Sequence, residues 1–193
     1  MAITAPAPRV IADVVPRAWL GQVALVVGAA VFVGLSAQIA IPLPFTPVPI
    51  TGQTFAVLLS AAALGSLRGV LAMLLYAVAG AAGLPWFAEG SSGVAAPSFG
   101  YVVGFVVAAA VVGVLAERGG TRTPLRTAGT MVVGNLVIYT VGLVWLKVAL
   151  GTTWATTFSL GLTPFLVGDL LKIALAAGLF PLAWAGLRKA RLV

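Results

Sequence analysis

The chain has 193 residues, of which 61% are hydrophobic and only 8% are charged. A soluble domain carries about 25% charged residues, so this composition indicates an integral membrane protein. It contains no cysteine and no histidine, which excludes disulfides, thiol nucleophiles, histidine general bases and most zinc chemistry. The formal net charge of +7 is better explained by basic residues retained on the cytoplasmic side of a membrane than by nucleic-acid binding.

Residues 1–18 predict a short disordered cytoplasmic tail, because they combine several prolines with scattered charges. The apolar run that begins at Trp19 is longer than the apolar core of a signal peptide and continues into the rest of the chain. No cleavable signal peptide is therefore expected.

Six apolar segments predict an all-α integral membrane protein, a bundle of six transmembrane helices over residues 19–187, followed by a basic cytoplasmic tail at 188–193. The expected helices cover about 19–41, 54–67, 69–83, 99–115, 127–148 and 163–187. A helix of about 20 residues crosses a hydrocarbon core of ~30 Å, so the second helix is short for a span.

The first helix carries two pairs of small residues, Ala24/Gly28 and Ala30/Gly34. Such pairs are compatible with packing inside the bundle and with docking on another subunit.

Two non-helical stretches separate these helices on one side of the bundle. Residues 42–53 contain four prolines and no charge, and prolines at this spacing prevent a helix. We expect an outer loop that folds back over the bundle, with a plain extracellular turn as the alternative. Residues 84–98 are rich in Gly, Ser and Pro and are expected to be a second irregular loop.

The distribution of basic residues predicts the orientation. With six spans, one side carries both termini and nine basic residues: Arg9, Arg17, Arg68, Arg118, Arg122, Arg126, Arg188, Lys189 and Arg191. The other side carries only Lys147. Both termini are therefore expected in the cytoplasm.

Asp169 and Lys172 are the charges that the last helix carries inside its apolar run. Their spacing places them on one face of the helix. Each charge in hydrocarbon costs roughly 2.5–3.5 kcal/mol. At about 1.5 Å per residue, Asp169 lies roughly 9 Å inward of Thr163, beneath the two irregular loops. The pair therefore predicts an outward-facing ligand pocket, with a structural ion pair as the alternative.

Further polar residues extend this candidate site. Asn135 and Tyr139 follow helical spacing on the fifth helix, while Gln53 and Tyr101 belong to the first loop and the fourth helix. The set suits a compact apolar ligand with polar groups at its ends. For Asn135 and Tyr139, packing between helices is an alternative. No phosphate-binding loop or paired carboxylates are present, so the chain is expected not to be an enzyme and to have no ATPase of its own.

Four segments together resemble the BioY family, the biotin-binding S components of energy-coupling factor (ECF) transporters. They are residues 41–54, 83–88, 100–105 and 163–172, the last with the sequence TPFLVGDLLK. The resemblance covers about residues 19–187. It implies a six-helix S component that captures biotin from outside, in the plasma membrane of a prokaryote.

The same resemblance implies partners and roles. The partners would be a transmembrane coupling subunit and ABC ATPase subunits, with biotin as transported ligand and no cofactor. Asp169 would accept from the ureido N–H groups, Lys172 would pair with a biotin oxygen, and Ala30 and Gly34 would dock on the coupling subunit. The alternatives are an S component for another vitamin, a small intramembrane hydrolase that uses Asp169, and uptake by this chain alone.

Overall fold

The structure, a computed structural model, describes residues 8–16 and 18–192. Residues 1–7, Arg17 and Val193, which belong to the predicted tails, lie outside the described residues. The α-helices are α1 Trp19–Ala37, α2 Gln53–Leu64, α3 Ser66–Ala81, α4 Phe99–Leu115, α5 Pro124–Leu150, α6 Trp154–Gly161 and α7 Leu166–Lys189. The strands are β1 Ala40–Leu43 and β2 Thr46–Thr51. Short 3₁₀ turns lie at Ile11–Val14, Ala88–Gly90 and Thr163–Phe165, and a π turn at Ala116–Gly120.

The prediction of a mostly helical membrane protein is confirmed. Four helical segments are long and apolar enough to cross a membrane: Trp19–Ala37, Phe99–Gly120, Pro124–Leu150 and Trp154–Lys189. Two shorter apolar helices, α2 with 12 residues and α3 with 16 residues, lie between the first and second of these segments.

The helical bundle also contains a β-hairpin, which the prediction of an all-α fold did not include. The proline-rich stretch expected to be irregular forms an antiparallel hairpin in which Ala40 pairs with Thr51 and Leu43 pairs with Thr46. The register is interrupted between Ile41 and Leu43, at the position of Pro42. Proline lacks the N–H of a ladder hydrogen bond and is tolerated at such an irregularity or on an edge strand.

Several helix boundaries also differ from those predicted. The first helix ends at Ala37 rather than near residue 41, because the chain turns there into β1. The fifth begins at Pro124, where the Thr123 side chain accepts a hydrogen bond from Arg126 N–H at 3.3 Å, an ordinary N-cap followed by proline. The predicted linker around Trp154 is the short helix α6.

Helix α4 is the centre of the bundle, in contact with α2, α3 and α5. Glycines let its neighbours approach closely: a Cβ on Gly100 would lie 2.1 Å from the Trp145 side chain, and a Cβ on Gly113 would lie 2.3 Å from the backbone nitrogen of Ser66. Small residues at helix contacts are the usual means of tight packing in membranes.

The two ends of the bundle differ in chemistry. At one end, the Glu117 carboxylate accepts hydrogen bonds from Ser66 N–H at 2.6 Å and Ser66 hydroxyl at 2.7 Å. The Arg122 guanidinium at the same end, here called the basic end, lies 3.5 Å from the centroid of the Trp184 ring. The hairpin lies at the other end, where the Thr46 hydroxyl donates to the Leu160 carbonyl at 2.8 Å.

The described part of the N-terminal tail, residues 8–16, is folded against the basic end, so the prediction of disorder is wrong there. Val10 and Ala12 are buried in the apolar core. The Asp13 carboxylate accepts hydrogen bonds from Arg9 N–H and Val10 N–H at 2.9 and 3.2 Å, and pairs with the Arg68 guanidinium at 3.0 Å. The burial of these two small apolar side chains holds the segment in place. No periodic pattern in the sequence predicts it.

Asp13 makes this contact sensitive to pH. Partial burial raises the pKa of its carboxyl, but hydrogen bonds from Val10, Arg68 and Arg9 outweigh burial and hold the pKa below its ordinary value. The charged carboxylate therefore stabilises the fold above the unfolded-state pKa of about 3.9, and this contribution is lost as the pH falls through the lower folded-state pKa.

Asp13→Asn is expected to lower the free energy of unfolding by less than about 1 kcal/mol at neutral pH. The difference from wild type should shrink in acid below the folded-state pKa, where the wild-type carboxyl is itself protonated. Thermal unfolding in detergent at several pH values measures the loss of stability at neutral pH and its decrease in acid. Glu89→Gln, which changes an exposed loop acid, is the control. Equal destabilisation by the control, or a difference that persists in acid, contradicts this role of Asp13.

Candidate functional site

The centre of the candidate site is an ion pair on α7 between the buried Asp169 and the half-buried Lys172. Asp169 is only 4% exposed and lies in the first turn of α7, where the helix dipole favours a carboxylate. Lys172 Nζ lies 3.2 Å from Asp169 Oδ1. The Tyr139 hydroxyl of α5 donates to Asp169 Oδ2, and Lys172 Nζ donates to Thr54 Oγ1 of α2 at 2.8 Å. The pair therefore connects α2, α5 and α7.

An open cavity lies beside this pair at the hairpin end of the bundle. It holds about 690 Å³ of space between atoms, a volume that includes the open solvent at its mouth. Its polar lining comprises Thr51, Gln53, Thr54, Ser91, Ser98, Tyr139, Asp169 and Lys172. Its apolar lining comprises Val48, Pro49, Phe87, Ala88, Ala96, Phe99, Tyr101, Val102, Phe105 and Phe165.

The structure brings together five of the six predicted ligand-contact residues: Gln53, Tyr101, Tyr139, Asp169 and Lys172 all line this cavity. Asn135 does not line it. It lies about one helical turn from Tyr139 toward the basic end, beside a smaller cavity that it shares with Thr54 and Lys172. The predicted ligand contact of Asn135 thus has no direct geometric support.

Gln53 and Tyr101 use their polar groups within the protein. The Gln53 side-chain amide donates to the Tyr76 hydroxyl, and its carbonyl accepts from the Thr51 hydroxyl at 3.2 Å. The Tyr101 hydroxyl donates to the Gly161 carbonyl at 2.7 Å. Gln53 therefore connects the hairpin to α3, while Tyr101 presents mainly its ring to the cavity.

Ala30 and Gly34 lie inside the bundle. Ala30 is 1% exposed, and a Cβ on Gly34 would lie 3.0 Å from the Trp86 ring. Without an opening of the bundle, a partner subunit has no access to either residue. The other small pair of α1, Ala24 and Gly28, is exposed.

The sequence interpretation missed several residues that line the cavity. Thr54 is the most important, because it accepts the hydrogen bond from Lys172 at 2.8 Å. The sequence feature that could have indicated Thr54 is its position at the start of α2, directly after the proline-rich stretch. Phe165 follows Thr163-Pro164 within the same short motif as Asp169, yet nothing in its residue type distinguishes it from the lipid-facing apolar residues nearby.

The arrangement suits binding better than catalysis. A carboxylate has about four lone-pair sites, so Asp169 keeps acceptor capacity beyond its bonds to Tyr139 and Lys172. Lys172 offers three N–H donors, of which two are used by Thr54 and Asp169. Among the residues that the structure describes, no group of His, Cys, Asp or Glu is arranged to hold a metal ion. A ligand with both N–H donors and an oxygen acceptor at one end matches this pair.

The apolar helices and the cavity define the class: a multi-pass membrane protein with a candidate small-molecule site at one end of its bundle. A model of the BioY family matches residues 10–189. The "Probable biotin transporter BioY" of Pyrococcus horikoshii is 39% identical over 153 residues, 76% of this chain and 88% of that protein. The "Biotin transporter BioY2" of Lactococcus lactis is 36% identical over 162 residues, 82% and 86% of the two chains. The chain belongs to the BioY family.

A solved structure has the same fold. The chain resembles the S-component for biotin from an ECF-type ABC transporter, with a TM-score of 0.76, 21% sequence identity, and coverage of 89% of this chain and 92% of that one. Family and fold together confirm the resemblance on which the sequence interpretation depended.

Proposed function

We propose that this chain is the biotin-binding S component of an ECF-type vitamin uptake transporter and is not an enzyme. The identity of the proposed ligand, biotin, comes from the names of its relatives. The observation that carries the proposal is the Asp169–Lys172 ion pair beside a cavity with aromatic walls. Biotin has matching parts: a cyclic ureido group with two N–H donors and an oxygen, fused to an apolar ring with an aliphatic chain.

The arrangement of the pair favours one orientation of biotin. Asp169 accepts from the ureido N–H groups, and Lys172 donates to a biotin oxygen. Because the two side chains are 3.2 Å apart, both reach the same end of the ligand, which favours the ureido oxygen over the distant carboxylate. The apolar part of biotin then packs against rings such as Phe99 and Phe105.

We propose six spans with both termini in the cytoplasm, formed by α1 to α5 and the segment from α6 through α7, in the plasma membrane of a prokaryote. The excess of basic residues at one end supports this orientation. In the proposed organisation, residues 1–18 are a cytoplasmic tail, 19–187 the substrate-binding domain and 188–193 a basic tail. The cavity then opens outward.

In the proposed cycle, biotin enters from outside and residues 42–53 close over it. A coupling subunit receives the loaded chain, which reorients, and ABC ATPases reset the cycle. The hairpin is suited to act as a cover, because it contributes Val48, Pro49 and Thr51 to the cavity and connects to the bundle at both ends.

For the docking surface, we propose the exposed small residues of α1, Ala24 and Gly28, in place of the buried pair Ala30 and Gly34. A Cβ on Gly28 would meet no atom within 4 Å, so this face is free to accept another helix closely.

Ala24→Leu with Gly28→Leu is expected to reduce co-purification with the coupling subunit by about tenfold, since bulky side chains separate the two helices, and to leave biotin affinity unchanged. Gly178→Leu, at an equally open position on α7, is the control. Gly34→Leu should instead destabilise the chain itself by contact with Trp86. Unchanged co-purification of the double variant excludes this surface.

A competition assay tests the proposed ligand. Purified chain in detergent is incubated with labelled biotin and an excess of unlabelled biotin, thiamine or riboflavin. Only unlabelled biotin is expected to displace the label, and the recovered biotin should be chemically unmodified. Displacement by another vitamin would indicate a different S component, and a modified product would indicate an intramembrane hydrolase.

A further inference from the structure

The larger cavity lies between two stretches of chain that are separate in sequence. Residues 48–54, from the hairpin into the start of α2, contribute one side of the cavity, here called the hairpin wall. Residues 87–98, between α3 and α4, contribute another side, here called the loop wall. In the part of the chain that the structure describes, no backbone hydrogen bond joins the two walls. Their relative position therefore depends on side chains.

Tyr76 of α3 connects the two walls through one hydroxyl group. Its side chain is fully buried and lies behind the lining of the cavity. The Tyr76 hydroxyl accepts a hydrogen bond from the side-chain amide of Gln53 in the hairpin wall. It donates a hydrogen bond to the carbonyl of Trp86 at 3.2 Å, and Trp86 directly precedes the loop wall. The hydroxyl thus uses its donor for one wall and its acceptor capacity for the other.

The loop wall is held on α3 by two aromatic side chains. The Trp86 indole N–H donates to the Tyr76 carbonyl at 3.0 Å, and the centroids of the two rings lie 5.1 Å apart. The Phe87 ring, which lines the cavity, meets the Tyr76 ring edge-on with centroids 5.3 Å apart. A Cβ on Gly80 would lie 2.1 Å from the Phe87 ring, so glycine provides the space for this ring. The position of Phe87 in the cavity thus depends on Tyr76.

The hairpin wall is held at Gln53 from both sides. The Gln53 side-chain carbonyl accepts from the Thr51 hydroxyl at 3.2 Å, and Thr51 pairs with Ala40 in the hairpin. The next residue, Thr54, accepts the hydrogen bond from Lys172 at 2.8 Å. Because Gln53 and Thr54 are consecutive, a displacement of Gln53 would also displace the group that orients Lys172.

We propose that Tyr76 is a positioning residue for the ligand site. Its hydroxyl joins the hairpin wall to the loop wall, so the two walls move as one unit. Tyr76 does not touch the ligand; it acts through Gln53 and Phe87, which line the cavity. The cover over the ligand then comprises the loop wall as well as the hairpin. The effect on ligand affinity rests on the proposed biotin site, whereas the connection between the walls does not.

Tyr76→Phe is expected to weaken biotin binding about tenfold, mainly through faster dissociation, because the walls are no longer held in the bound arrangement. Phenylalanine keeps the ring contacts but leaves the Gln53 amide without its acceptor. Thr130→Val is the control: it removes a buried hydroxyl that donates to the Gly120 carbonyl at 3.0 Å at the basic end, and biotin affinity should not change. A purely structural role of Tyr76 predicts lower thermal stability with unchanged affinity, and that result overturns the proposal.

A distance measurement tests the connection without biotin. The chain has no cysteine, so spin labels attach only to introduced sites, Phe45→Cys at the exposed hairpin tip and Glu89→Cys in the exposed part of the loop wall. The ligand-free chain is expected to give one narrow distance distribution. Tyr76→Phe should broaden it, and Thr130→Val should not.

The distance measurement also separates the failure of this inference from the failure of the proposed function. If the wild type binds no biotin, the proposed function fails, and the two ligand-free distributions still decide the inference. If Tyr76→Phe does not fold, the width of the ligand-free wild-type distribution decides. A broad wild-type distribution, or one in Tyr76→Phe as narrow as in the wild type, overturns the proposal.

Discussion

Asp169→Asn is expected to weaken biotin binding by about 100-fold, the equivalent of about 2.7 kcal/mol, in protein that stays folded in detergent. The amide keeps the shape of the side chain and one acceptor for the Tyr139 hydroxyl. It loses the charge that strengthens hydrogen bonds from ligand N–H groups and leaves the Lys172 ammonium without its ion-pair partner. Equilibrium binding of labelled biotin to the purified variant measures the effect.

Asp13→Asn is the matched control for this experiment. It makes the same chemical change at the basic end of the bundle, where Asp13 pairs with Arg68, and should leave biotin affinity unchanged. If Asp169→Asn bound biotin like wild type, the pair would be a structural ion pair and the ligand would bind elsewhere.

Gly113→Ala is expected to destabilise the chain by about 3 kcal/mol. A Cβ on Gly113 would lie 2.3 Å from the nitrogen and 2.4 Å from the Cα of Ser66. Both are backbone atoms at the junction of α2 and α3, so no side-chain rotation relieves the clash. The central helix α4 must then move away from the turn that it supports. Thermal unfolding in detergent, followed by the loss of monodisperse protein, measures the change.

Gly178→Ala is the control, because it makes the same substitution at an open position of α7. It should retain or slightly raise stability, since alanine favours a helix over glycine by about 1 kcal/mol. Equal stability of the two variants would mean that α4 does not contact the α2–α3 turn as closely as described.

The central pair was predictable because its geometry is local. Asp169 and Lys172 are three residues apart on a helix, and this spacing alone brings them within reach of each other. Composition and the long apolar runs likewise predicted a helical membrane protein, since a continuous apolar run of about 20 residues is typical of a helix that satisfies its own backbone in lipid.

The hairpin was not predicted, because its prolines were interpreted only as helix breakers. Thr46, Val48 and Ile50 alternate with Pro47 and Pro49, a period of two that is compatible with a strand at a sheet edge. The choice between an irregular loop and a hairpin depends on the pairing partner, which lies in residues 40–43 that the prediction gave partly to the first helix.

Asn135 and the small residues of α1 show a different limit of prediction from sequence patterns. Helical spacing places Asn135 on the same face as Tyr139, but its depth relative to Lys172 depends on how α5 and α7 are offset. Ala24/Gly28 and Ala30/Gly34 are equivalent as sequence patterns, although one pair is exposed and the other is buried. Only the packing of α1 on its neighbours distinguishes them.

The biotin content of the purified chain is the decisive measurement for the proposed biotin site. Protein prepared from cells grown with biotin is denatured, and the released small molecules are quantified by mass spectrometry against the protein. We predict about one unmodified biotin per chain in the wild type, and much less in Asp169→Asn. A wild-type chain that carries no biotin, and binds none when biotin is added, would contradict the assignment of the Asp169–Lys172 cavity as a biotin site.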